Sequence, residues 1–159
     1  MKVSAIVYTS NTGFTAQYAT LLSHQTGLPL HQLEEAAALP RGTQVLYLGW
    51  LCAGKIQGLK KAASRFQVEA VCAVGLAPEC DLDKLAGDNH CSGLPLFYLR
   101  GGYAPARIRG KYKMMMAMMK AILSKKTDAQ SRQALKAIEL GADWVSAPQL
   151  EPVLDWLRG

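Results

Sequence analysis

The sequence predicts an α/β protein: a five-stranded parallel sheet with helices on both faces. Three observations predict it. Apolar runs alternate with stretches of helical periodicity along most of the 159 residues. Most of these runs are near-continuously apolar rather than alternating, as strands covered on both faces are. The first run also passes through a cluster of hydroxyl residues straight into an amphipathic stretch, as in a strand–helix crossover unit.

Residues 3–8, 28–33, 44–48, 70–76 and 94–99 read as the five strands. Behind the first, Phe14, Tyr18, Leu21 and Leu22 fall on one helical stripe, which Gly27 and Pro29 bring to a stop. "LEEAAALP" (33–40) and "DLDKLAGDN" (81–89) have room only for short helices. After the third strand, Ile56, Leu59, Ala63 and Phe66 make a second stripe, with Lys55, Lys60, Lys61 and Arg65 largely off it. The last third is helical throughout. One helix is expected over 112–125, a second capped by Thr127 and running to Gly141, and a third over about 149–158 with Pro152 near its first turn. Tyr112, Met115, Met116, Met119, Ile122 and Leu123 form a stripe expected to face the sheet, with Met114 and Met118 off its centre. No repeat, low-complexity segment or linker divides the chain. Residues 1–159 are therefore expected to form a single domain with a helical extension from about 127.

The stretch "YTSNTGFTAQYA" (8–19) carries the chemistry. Four hydroxyl residues, Thr9, Ser10, Thr12 and Thr15, surround Gly13 at a strand-to-helix junction. A helix N-terminus leaves about four backbone N–H groups unpaired and bears partial positive charge. Hydroxyls beside it add donors, and a glycine lets the backbone come close to an anion. A plain N-cap needs only one such residue. In an open parallel sheet, ligands bind beyond the carboxyl ends of the strands, where the strand order reverses. A loop following the first strand stands in that position.

Composition bounds the rest. Half the residues are hydrophobic and 19% charged, as in an ordinary globular protein. The amino-terminal apolar run is too short for a signal peptide, and residues 114–119 fall far short of a membrane span, so a cytoplasmic protein is expected. Cys52, Cys72, Cys80 and Cys91 include no C-x-x-C pair and read as reduced thiols. Cys80, His90 and Cys91 match no zinc spacing, so no metal is expected. The net charge is +6, and no acidic residue occurs between Asp88 and Asp128. Arg100, Arg107, Arg109, Lys111, Lys113, Lys120, Lys125 and Lys126 all stand in that gap, which suggests an anionic partner.

Several site types are set aside. Gly49–Lys55 fits most of a nucleotide phosphate loop, but Ile56 stands where a Mg²⁺-binding Ser or Thr is required. Lys55 is instead expected at the solvated start of a helix. A phosphoryl-acceptor domain needs acids after its first strand, and residues 1–33 contain none. No G-x-S-x-G is present for a triad hydrolase. No nucleic-acid partner is expected.

"TSNTGFT" (9–15) resembles the phosphate loop of flavodoxins. "LYLGWLCAGKIQGLKKAA" (46–63), "LPLFYLRGGYAP" (94–105) and "KYKMMMAMMKAILSKK" (111–126) are similar to a flavodoxin-domain subfamily that includes the quinone-dependent protoporphyrinogen dehydrogenases. The resemblance implies a flavodoxin-like three-layer sandwich with strand order 2-1-3-4-5. It also implies bound FMN, its phosphate on Ser10, Asn11, Thr12, Gly13, Phe14 and Thr15, with Asn11 and Phe14 contributing mainly backbone N–H groups. The flavin ring then needs flat or apolar walls in the loops after strands three and four: Trp50, Leu51, Cys52, Ala53 and Gly54, then Ala77, Pro78 and Glu79. Trp50 either stacks on the ring or packs as a core residue. Glycines 101 and 102 would admit the ring's edge. The expected function is that of an FMN-binding redox protein, an electron carrier or a flavin-dependent oxidoreductase, with no side chain assigned as acid or base. Alternatives are an enzyme like the quinone-linked protoporphyrinogen dehydrogenases and a binding module of this fold without FMN. The expected partner is a redox protein or a quinone. Peripheral contact of residues 107–126 with an anionic membrane is a further option.

Overall fold

The central apolar runs pair side by side and bury residues on both of their faces, while the two edge strands are mostly half-buried. In the computed structural model, which describes residues 2–159, the parallel strands are β1 (Ala5–Tyr8), β2 (Leu30–Gln32), β3 (Gln44–Cys52), β4 (Gln67–Gly75) and β5 (Leu96–Arg100). Their spatial order is β2-β1-β3-β4-β5. Ile6 pairs with Leu30 and Leu46, and Val71 with Tyr47 and Leu96. A bulge shifts the register between Val45 and Leu46.

Alternate residues point to opposite faces. Ala5, Val7, Val45, Tyr47, Val71 and Ala73 pack beneath a 3₁₀ segment (Leu33–Ala38), α2 (Leu59–Arg65) and α3 (Leu82–Asp88). Ile6, Leu46, Leu48, Cys72, Val74 and Leu99 pack against α1 (Phe14–Thr26) and α6 (Glu151–Arg158). The fold is a flavodoxin-like three-layer α/β sandwich, and its strand order reverses between β1 and β3.

Four local expectations need correction. β3 runs on to Cys52, because Leu51 and Cys52 pair antiparallel with Lys55–Ile56 around a two-residue turn. Both turn residues, Ala53 and Gly54, have positive φ, the geometry of a primed hairpin turn. Ile56 and Lys55 therefore belong to a hairpin, not to the start of a helix. With α2 starting only at Leu59, its buried residues are Leu59 and Ala62, while Ala63 is exposed. The cap of α5 (Ala129–Leu140) is Asp128 rather than Thr127. Its carboxylate accepts from both the N–H (3.0 Å) and the hydroxyl (2.8 Å) of Ser131.

The largest departure is α4 (Lys111–Leu123), which buries no residue fully. Met114 is 70% exposed, Met118 63% and Ile122 57%, and Met115 and Met119 are also exposed. The expected stripe does not face the sheet because both faces are already occupied. After β5, Gly102–Tyr103 pairs antiparallel with Ala142–Asp143, and the chain between them makes the α4–α5 helical hairpin. That hairpin lies beyond the carboxyl ends of the strands. Among the described residues no helix is long and apolar enough to cross a membrane.

Candidate functional site

The hydroxyl-rich loop turns sharply because Gly13 takes φ 102°, a left-handed conformation that L side chains rarely adopt. Ser10 organises the turn from within. Its Oγ accepts from the N–H of Gly13 (3.1 Å) and of Ala16 (3.4 Å). The first helical bond of α1 runs from the Gln17 N–H to the Gly13 carbonyl. Among the described residues, no protein acceptor pairs the N–H groups of Asn11, Thr12, Phe14 or Thr15. Unpaired donors at the start of a 13-residue helix are what an anion cradle requires.

A cation completes it. Arg107, which follows β5 in a short 3₁₀ turn (Pro105–Arg107), donates from Nη1 to the Thr12 carbonyl at 3.1 Å. The same nitrogen lies 3.4 Å from where a Cβ on Gly13 would stand. Arg107 was visible in the sequence only as one of eight basic residues in an acid-free segment. Its return to a loop 95 positions earlier is a tertiary fact. Thr9, by contrast, leaves the cradle. Its Oγ1 (3.0 Å) and the Tyr47 Oη (2.6 Å) both donate to the Gln57 carbonyl in the core.

Beyond the cradle lies a cleft of about 90 Å³. Ser10, Asn11, Thr12, Phe14 and Thr15 form its mouth-side wall, and Trp50, Leu51, Val74, Gly75 and Leu76 its apolar side. The Trp50 ring meets Tyr112 edge-on, with centroids 4.9 Å apart, which links the end of β3 to α4. Ile108 and Met116 cover the cleft from the segment after β5. Sequence reasoning put neither at the cleft, having expected Met116 against the sheet, and it placed the β4 contribution at residues 77–79, whereas Val74, Gly75 and Leu76 line the cleft.

The other expected wall residues fall elsewhere. Cys52, Ala53 and Gly54 make the hairpin turn and do not line the cleft. Ala77 and Pro78 line a second cavity that adjoins the first through Leu76, and Glu79 lines neither. Gly102 does line the cleft and Gly101 does not, and both are tightly packed: Val74, Phe14 and the Ala142 carbonyl stand where their Cβ atoms would be. The Gly49–Lys55 pattern makes a hairpin rather than a phosphate loop, and Lys55 Nζ donates to the Asp88 carbonyl at 2.6 Å.

Burial raises several titratable groups of the sheet. Burial pushes the Tyr98 phenol up to about 12, and its Oη donates to the Ala77 carbonyl at 2.6 Å, holding the loop after β4. Burial raises Tyr47 and the Cys72 thiol as well. The site therefore offers donors, a cation and apolar walls rather than an acid–base pair. No protein family, curated protein or solved structure matches the chain.

Proposed function

We propose that the chain binds FMN by its phosphate in the loop between β1 and α1 and works as a redox protein. The observation that carries this reading is the loop between β1 and α1: among the described residues it brings together four N–H groups without protein acceptors, a positive-φ glycine and the Arg107 guanidinium. Charge-assisted bonds from such donors suit a phosphate dianion. The position supports the same reading, since it lies at the reversal of strand order between β1 and β3. A ring held by that phosphate has the apolar faces of Trp50, Leu51 and Leu76 within the same cleft. The cleft, at about 90 Å³, is smaller than the roughly 300 Å³ at the lower end of small-molecule sites, so ring entry requires Ile108 and Met116 to move outward.

When bound, the flavin supplies the electron or hydride chemistry. The chain anchors its phosphate, excludes water from its ring and surrounds it with positive charge. We place this protein in the cytoplasm, with α4 as the surface on which it meets an anionic membrane and a redox partner there, a protein or a quinone. The exposed methionines and the lysines on the same helix, Lys113 and the Glu139-paired Lys120, support that contact.

Purification decides the cofactor. A yellow preparation that releases FMN, identified by mass, is the expected result. An apo-protein that binds FMN no better than riboflavin would falsify the assigned role of the cradle. Turnover with soluble quinones separates an enzyme from a carrier, and substantial turnover with a porphyrinogen would favour the dehydrogenase-like alternative.

A further inference from the structure

We infer that the cavity between the loop after β4 and helix α5 is a binding site for a flat aromatic carboxylate. The cavity holds about 220 Å³, enough for a small ring system, and adjoins the cleft through Leu76. Pro78, Met119, Ala137 and Ile138 make its walls largely apolar. One cation stands among them. The Arg100 guanidinium lies 3.7 Å from the centroid of the Trp144 ring, and its Nε donates to the Leu76 carbonyl at 3.1 Å.

Arg100 is also held from behind. Its N–H donates to Gln149 Oε1 at 2.8 Å, and its carbonyl accepts from Tyr18 Oη at 2.5 Å. These bonds fix its main chain, and a guanidinium already held by the Trp144 ring and the Leu76 carbonyl loses little further freedom when it binds. Among the described residues, no ion pair includes Arg100 and only its Nε has a side-chain hydrogen bond. Arg100 thus lines a largely apolar cavity and, among the described residues, has no ion-pair partner. A carboxylate matches the planar fork of a guanidinium, and an aromatic ring matches the adjoining apolar walls. Both halves of the ligand follow from neighbouring groups. The site stands independently of the flavin reading, and its test uses no FMN.

The test is calorimetric titration of the full chain with 2-naphthoate and with the neutral 2-naphthalenemethanol. Naphthoate is expected to bind at least about tenfold more tightly, the effect of one charge-assisted pair. Arg100→Gln should erase that preference, and Ala137→Phe should abolish binding of both by filling the cavity. Circular dichroism melts establish that each variant is folded. Gly13→Val separates this cavity from the cradle, and naphthoate should bind that variant as it binds the wild type. Equal affinity for acid and alcohol overturns the proposal. So does binding that survives Ala137→Phe in a folded protein, or binding lost with Gly13→Val.

Discussion

Gly13 shows how much a single residue decides. Its φ of 102° sets a turn in which, among the described residues, the N–H groups of Asn11, Thr12, Phe14 and Thr15 have no protein acceptor, and Arg107 Nη1 stands 3.4 Å from where a Cβ would begin. Gly13→Val strains the backbone and pushes Arg107 away. FMN affinity should fall about tenfold to a hundredfold, as each charge-assisted bond to phosphate is worth roughly 1.5–3 kcal/mol. Riboflavin affinity should barely change, and parallel titrations of the apo-protein with both compounds check this. Tyr98 gives a second prediction. Burial holds its phenol protonated up to about 12, against an ordinary value of 10.0. Between those values the unfolded chain has lost the proton and the folded chain retains it. Stability should therefore be full below pH 10, fall as pH rises above it, and level off near 12 so far as this group contributes. Denaturant titrations from pH 8 to about 11 should show the fall, and Tyr98→Phe should make it shallower.

At the scale of elements, the contrast is between α6 and α4. Helix α6 is only eight residues long, yet Val153, Leu154 and Leu157 are buried against β1, β3 and β5. It completes a layer of the sandwich, so Leu157→Ala should cost about 2–5 kcal/mol. A loss below about 1 kcal/mol in chemical denaturation would mean that α6 is dispensable to the core. Helix α4 is longer and richer in apolar side chains but buries none of them fully. Met114→Ser with Met118→Ser should therefore leave stability within about 0.5 kcal/mol. The same double variant should reduce sedimentation with anionic liposomes at low salt, while neutral liposomes bind neither protein. Failure of the wild type to sediment with anionic vesicles would leave a soluble acidic partner as the occupant of this face.

At the scale of the whole molecule, charge and topology converge on one end. The chain leaves β5 at the carboxyl edge of the sheet and spends its acid-free segment there before α6 returns to the core. Arg100 reaches the Leu76 carbonyl and lines the second cavity, and Arg107 reaches the Thr12 carbonyl in the loop between β1 and α1. Positive charge around a flavin favours its reduced, negatively charged form. Replacing Arg100, Arg107, Arg109 and Lys111 together by glutamine should lower the midpoint potential of bound FMN. A redox titration that finds it unchanged would place the protein's field elsewhere.

The sequence by itself determined the strands, their order of appearance and the two-faced sheet, because uninterrupted apolar runs are stable only when both faces are covered. It also marked residues 10–15 as the turn proposed to hold an anion, since hydroxyls and glycine at a strand–helix junction are a local pattern read over a few neighbours. The tertiary structure decided what local pattern does not encode. Ile56 joined a hairpin because the Ala53–Gly54 turn reverses the chain, although its spacing fitted the stripe of a helix. The methionine stripe of α4 has the periodicity of a buried helix, but burial depends on vacant sheet surface, and α1, α2, α3 and α6 had already filled it. Arg107 and Arg100 were indistinguishable from the other basic residues of their segment until folding brought each to a carbonyl far away in sequence. Periodicity is a property of neighbours along the chain, and a binding site is a property of neighbours in space.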